Sequence, residues 1–147
     1  MTAITRDDLR AVFERAPGLA DRVSGDDAAS IIASARAELG RMTDREKAAV
    51  LDAHPRIGAG EASLSALSRV EQSDPADAST LAELARMNEE YERRYGFRFV
   101  VFVNGRPKSA IVPLMRERLR RGRDEELATG IAEYLAIAED RLRKVRS

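Results

Sequence analysis

Apolar residues recur every third or fourth position through most of the chain, the spacing of a helix that turns one face inward. Leu9, Val12, Phe13 and Ala16 form the first run, with a Thr5/Asp8 capping box before it and Pro17 ending it. A second helix follows Gly25, capped by Asp26 or Asp27. It points Ile31, Ile32, Ala35 and Leu39 inward and closes at Gly40. Thr43 with Glu46 makes another capping box. That helix carries Val50 and Leu51 and stops near Ala53, because Pro55 disfavours a helical His54. A loop with Gly58 and Gly60 comes next, then a short helix over about 65–72 with Leu64, Leu67 and Val70 as its apolar contacts. The most regular helix runs over about 79–95. It places Leu81, Leu84, Asn88, Tyr91 and Tyr95 on one face and ends at Gly96. Two more helices, over about 109–121 and 124–145, complete the pattern. Pro113 either starts the first of them late or kinks it. Leu127, Ile131, Leu135, Ala138 and Leu142 stripe the second.

One segment breaks the helical period. Phe97-Arg98-Phe99-Val100-Val101-Phe102-Val103 has the composition of a strand and stops at the turn-forming pair Asn104-Gly105. No second strand-like run exists to pair with it, so it is expected as a buried extended segment. The fold class that follows is all-α: a single-domain helical bundle over residues 1–147 with one short extended segment.

Composition narrows the chemistry. Hydrophobic residues make up 44% of the 147, enough for one core and too many for a disordered chain. Cysteine is absent and histidine occurs once, which removes disulfides, thiolate nucleophiles and the usual zinc ligand sets. The formal net charge is zero, so nothing global draws the chain to nucleic acid or anionic membrane. There is no membrane-length apolar run, no signal-like start and no sorting tripeptide at the end. These features point to the cytoplasm.

His54 is therefore the versatile acid/base group of the chain. Alone it reads equally as a helix C-cap, where a cation suits the dipole. Glu71 and Gln72, close behind Ser68, add a carboxylate and an amide; alone they read as a solvated helix end. Gly58-Ala59-Gly60 follows no strand and lacks a lysine, so it reads as a turn rather than a phosphate loop. Apart from Lys47, Lys108 and Lys144, the 25 basic residues are arginines. The cluster Arg116, Arg118, Arg120, Arg121 and Arg123 has no interleaved aromatics and is followed at once by acidic residues, so a solvated face is the expectation. Arg141 and Arg143 complement a helix dipole, or grip a carboxylate with paired hydrogen bonds. Residues 97–103 form a buried connector, or else present main-chain groups to the edges of a flat polar heterocycle.

Taken in order, the motifs resemble a known family. They are His54-Pro55-Arg56-Ile57-Gly58, Ser68-x-x-Glu71-Gln72, and Leu84-x-x-x-Asn88-x-x-Tyr91-x-x-x-Tyr95-Gly96-Phe97-x-Phe99, followed by Arg118-Leu119 and Arg141-Leu142. The sequence is similar to the OHCU decarboxylases, which act on 2-oxo-4-hydroxy-4-carboxy-5-ureidoimidazoline in urate degradation. The resemblance spans nearly the whole chain and is strongest from Leu51 to Leu119. It implies an all-helical, cofactor-free, metal-free homodimer that forms (S)-allantoin with loss of carbon dioxide. It implies His54 as the catalytic histidine, with Glu71 beside it. Substrate contacts are implied at Pro55, Ser68, Gln72, the main chain of Phe99, Val100, Val101, Phe102 and Val103, and Arg141. The chain departs from the family after Gln72, where Ser73-Asp74-Pro75 replaces the small residues of many relatives. The missing peroxisomal tail of animal relatives favours a bacterial cytoplasmic enzyme. The competing readings are a helical protein-interaction module without catalysis and an arginine-rich nucleic-acid binder.

Overall fold

The computed structural model describes residues 4–13, 16–58 and 77–145. Among these residues there are seven helices and no strand: α1 Arg6–Val12, α2 Pro17–Arg22, α3 Ala28–Gly40, α4 Asp44–Ala53, α5 Ala78–Tyr95, α6 Lys108–Arg118 and α7 Arg123–Val145. The helix starts are built locally. Thr5, Asp27 and Thr43 each accept the backbone N–H three residues on, and Asp8, Ser30 and Glu46 answer with a bond back to the cap. Asp77 caps α5 by accepting the Thr80 N–H at 2.7 Å. Gly96 closes α5 at φ +82, a left-handed conformation that a Cβ would oppose.

Two boundaries differ from the sequence pattern. Pro17 does not only end the first helix; it opens α2 at a position where proline lacks no needed hydrogen bond and its fixed φ suits a helix start. Pro113 lies inside α6, which starts earlier than expected, at Lys108 behind the N-cap Pro107. The expected helix over 65–72 and the loop at Gly60 lie outside the described residues.

Helix α7, 23 residues and about 35 Å long, is the axis of the molecule. It packs against α1, α3, α4 and α5, while α6 packs on α5. Its stripe Leu127, Leu135, Ala138 and Leu142 is buried, with Ile131 partly so. Opposite it, α3 buries Ile31, Ile32, Ala35 and Leu39, each large side chain contributing about 1.5–3 kcal/mol relative to exposure. At Gly130 a Cβ would meet Leu51 Cδ1 at 2.8 Å, so the glycine lets α7 approach α4 closely. On α5 the buried face is Leu84, Met87, Asn88, Tyr91 and Tyr95; Leu81, one turn earlier, is 37% exposed instead of buried.

Residues 98–103 run without helix or strand, as the lone apolar run implied. They end in a tight turn in which Asn104 (φ 49) and Gly105 (φ 76) are both left-handed and the Arg106 N–H bonds Val103 O at 3.0 Å. The chain therefore leaves α5, crosses the core extended, and turns into α6.

Candidate active site

His54 follows the last residue of α4 as its C-cap, at φ −80 and ψ 139. Pro55 behind it excludes a further helical turn. The His54 N–H bonds Leu51 O at 3.1 Å, and its carbonyl accepts Arg98 Nη1 at 3.1 Å. The residue is buried, and Pro55 with it. The edge of its ring meets Tyr134 of α7, with centroids 6.3 Å apart and planes at 82°. Two further ties hold the loop after it. Asn88 Nδ2 donates to Ile57 O at 3.0 Å, and the Arg56 guanidinium grips Glu92 with two bonds of 2.7 and 2.8 Å.

The extended segment is clasped by polar groups from three helices. Arg98 N–H donates to Asp52 Oδ1 of α4 at 2.9 Å. Arg118 Nη1 of α6 donates to Val100 O at 2.7 Å, and its guanidinium lies 4.4 Å from the centroid of Phe99. Phe102 N–H donates to Glu133 Oε1 of α7 at 3.3 Å. Tyr91 packs edge-on against Phe97 and Phe99 from behind. Phe99, Val100, Val101 and Val103 are buried and Phe102 partly so. Among the described residues, no hydrogen bond engages the main-chain N–H or C=O of Val101, which is 6% exposed. Buried main-chain groups need partners, so an open N–H and C=O here suit a bound polar ring.

Arg118 overturns the expected solvated face. It is 4% exposed and donates to Glu126 Oε1 at 2.7 Å, a carboxylate that is itself fully buried. Tyr91 Oη donates to the same oxygen at 2.7 Å. Burial, reinforced by that carboxylate, raises the Tyr91 phenol above its ordinary range, so it stays a neutral donor. Arg121 adds a bond to Glu126 Oε2 at 3.1 Å, and Arg123 Nε reaches Tyr95 O at 3.0 Å. Only part of the basic cluster behaves as solvated: Arg120 is exposed.

Arg141 is 2% exposed and donates to Val12 O, the end of α1, at 3.0 Å. It stands seven residues after Tyr134 on α7, two turns along the same face. One face of α7 thus carries an aromatic ring against His54 and a buried guanidinium farther on. Ser68, Glu71 and Gln72 lie outside the described residues. Sequence reasoning missed Tyr134, Arg98, Asp52, Glu126 and Glu133. Tyr134 alone left a signal, since it falls one heptad after Leu127 on the apolar stripe.

Among the described residues no cluster of three or more His, Asp or Glu is placed to hold a metal ion, and no helix is long and apolar enough to cross a membrane. The arrangement offers one imidazole with its peptide fixed on both sides, an extended backbone with open polar groups, and a buried guanidinium. Those are the parts for binding a planar anion and moving a proton to or from it.

Residues 2–143 match the family model described as OHCU decarboxylase. The 2-oxo-4-hydroxy-4-carboxy-5-ureidoimidazoline decarboxylase of Haloferax volcanii is 30% identical over 139 residues, covering 89% of this chain and 82% of that protein. A crystal structure of OHCU decarboxylase in the presence of (S)-allantoin superposes with a TM-score of 0.77 at 25% identity, covering 94% of this chain and 96% of that one. A crystal structure of (S)-allantoin synthase shares the fold, with a TM-score of 0.72 at 18% identity; this chain spans 48% of it.

Proposed function

This chain belongs to the OHCU decarboxylase family, and from that premise we propose that His54 is the acid/base group of its active site. The enzyme is a carboxy-lyase of urate degradation that converts 2-oxo-4-hydroxy-4-carboxy-5-ureidoimidazoline to allantoin and carbon dioxide. The observation that carries the role of His54 is its placement: the only imidazole of the chain is buried, peptide-fixed at the end of α4, and tied to the extended segment through Arg98.

Decarboxylation breaks a C–C bond and leaves an electron pair that needs a sink. The substrate supplies one in the ring C=N beside the carboxylate-bearing carbon, so the protein's share is orientation and proton transfer. In this reading Arg141 grips an anionic group of the substrate. The open N–H and C=O of Val101 read the ring edge, held in place by the buried ring of Phe99 and the fastened main chain of Val100, Phe102 and Val103 around them. Pro55, Ser68 and Gln72 line the ring and ureido side. His54 moves a proton, and Glu71 sets its charge and tautomer. Carbon dioxide leaves, its bonding pair forms a C=C to the neighbouring ring carbon, and the C=N pair moves to nitrogen, which takes up a proton. The hydroxyl then loses its proton to become the carbonyl as a proton is delivered to one face of the former C=N carbon, giving the (S) product. No cofactor takes part. The burial of Arg141 and the open N–H and C=O of Val101 support these assignments. A homodimer and a cytoplasmic location complete the reading, and the whole chain acts as one domain.

Adding the protein to freshly generated urate-oxidation intermediate should speed the appearance of optically active (S)-allantoin. A racemic product at the uncatalysed rate would overturn the reading in favour of an interaction module. His54→Gln and Glu71→Gln should each lower kcat at least about 100-fold, or about 2.7 kcal/mol. Groups serving one step are non-additive, so the double variant should be scarcely worse than the weaker single one. If the two losses multiply, the paired mechanism is wrong.

A further inference from the structure

Arg98 bonds two residues of the α4 terminus at once. Its main-chain N–H donates to the Asp52 carboxylate at 2.9 Å, while its guanidinium donates to the His54 carbonyl at 3.1 Å. These contacts join positions 46 and 44 residues apart in the chain. Arg98 is also the second residue of the segment that runs on through Phe99 to Val103. Through one residue, the end of the helix that presents the imidazole is fastened to the start of the segment that presents open main chain.

We infer that Arg98 is a positioning residue for the decarboxylation: with Asp52 it forms a two-point bracket that fixes the separation between His54 and the 99–103 main chain. The inference rests on the reading of His54 as the acid/base group. The His54 peptide is bounded by its own N–H bond to Leu51 O, by Pro55 after it, and by Arg98 on its carbonyl. With those three in place the Cα–Cβ direction of His54 is set, and the ring lies buried against Tyr134 from there. Without the Arg98 guanidinium the His54 carbonyl loses its tie to the segment, and the His54 peptide can tilt between the bond at Leu51 and the Asn88 tie at Ile57, a displacement that shifts the imidazole relative to the segment. Proton transfer needs its partners within hydrogen-bond reach, so a small displacement acts on the chemical step more than on binding. The bracket is only half-buried and its Asp52 bond is exposed, so it contributes little to holding the fold together.

A plain structural staple and a positioning bracket differ in what their loss changes. Arg98→Ala should lower kcat about tenfold, leave KM within about twofold, and leave the unfolding midpoint nearly unchanged. Asp52→Ala should move kcat the same way. Asp52→Asn keeps the acceptor oxygen and should restore most of the rate. The single histidine gives a second readout, because NMR of the imidazole Cε1–H shows one signal that reports His54 directly. That signal should shift or broaden in Arg98→Ala and Asp52→Ala, and return toward its original position in Asp52→Asn. Arg41→Ala, which removes a distant exposed arginine paired with Glu38, is the control and should move none of these. An unchanged imidazole signal, an unchanged kcat, or a rise confined to KM in Arg98→Ala overturns the bracket. If instead His54→Gln keeps full activity, the acid/base reading fails, and the imidazole signal still decides whether Arg98 holds His54.

Discussion

The interface of α3 on α7 and the extended segment at 97–103 bury side chains to a similar depth, yet they are held in different ways. The first is apolar on both sides: Ile31, Ile32, Ala35 and Leu39 against Leu127, Leu135 and Leu142. The second puts apolar side chains into the core while its main chain is fastened by charged groups from elsewhere, namely Asp52, Arg118 and Glu133. Helices satisfy their own backbone and need only a greasy face. An extended segment with no sheet partner must borrow its hydrogen bonds from side chains. Whatever backbone the borrowed groups leave open is then available to a ligand. The same lack of a sheet partner makes the segment demanding to hold and suits it to recognition.

The largest expected effect tests that division. Arg118→Ala takes from buried Glu126 its closest cation and leaves it only Tyr91 and the partly exposed Arg121, a loss that should approach the ~3–5 kcal/mol of breaking a buried pair in chemical denaturation. It should also raise KM, because Val100 O loses its donor. The double variant Arg118→Met/Glu126→Leu removes the stranded charge and should recover much of the stability without recovering KM. Leu39→Ala, on the apolar side, should cost about 2–5 kcal/mol with kcat and KM intact in the folded protein. If the charge-free double variant regained normal KM, the ion pair would be filler and the two regions would not differ as argued.

A smaller effect separates two arginines that look alike in sequence. Arg141→Ala should lower kcat/KM at least about tenfold, or about 1.4 kcal/mol, while Arg120→Ala should change it little. Arg141 is buried and Arg120 exposed. Steady-state rates on circular-dichroism-verified variants decide it. A more damaging Arg120→Ala would mean that Arg141 only caps α1 through Val12 O.

What the sequence made legible follows the same division. Caps and stripes are local, so Thr5 with Asp8, Thr43 with Glu46 and the run Ile31 to Leu39 could be placed from spacing alone, while the choice between Asp26 and Asp27 could not. The stop at His54 was legible because Pro55 acts on its immediate neighbour. Leu81 belongs to the same periodic face as Leu84 but sits one turn nearer the helix start, where core cover ends; periodicity gives a direction, not the extent of what it faces. Arg118 was read as solvated because its partner Glu126 stands in an acidic run that looks equally solvated. Only the reversal between α6 and α7 brings the two inward together. Asp52 and Arg98 are 46 residues apart, and no local pattern marks either. Family resemblance pointed to His54 and Arg141, but the groups that tie the His54 loop to the extended segment stayed hidden because they act across the fold.

The smallest effect comes from the exposed counterpart of the buried ties. Arg56, two residues after His54, grips Glu92 of α5 with two hydrogen bonds. The Arg56 hydrogen bond holds the Glu92 carboxyl below its ordinary value near 4.5, against the opposing pull of partial burial. A carboxylate whose folded pKa is depressed contributes stability that is fully present above the unfolded pKa. That contribution is lost as pH falls through the folded value. The pair should therefore add a small increment above about pH 4.5 that disappears on further acidification. With Arg56 half exposed, solvent and salt limit it to less than about 1 kcal/mol. Glu92→Gln should flatten the acid limb of the stability curve slightly, and 1 M salt should reduce the difference from the parent, since the Debye length is then about 3 Å. Activity at neutral pH should hardly move, because Asn88 still secures the loop through Ile57 O. A loss above 2 kcal/mol, or one insensitive to salt, would place this tie with the buried Arg118 pair and erase the distinction between borrowed bonds that hold the fold and those that only trim it.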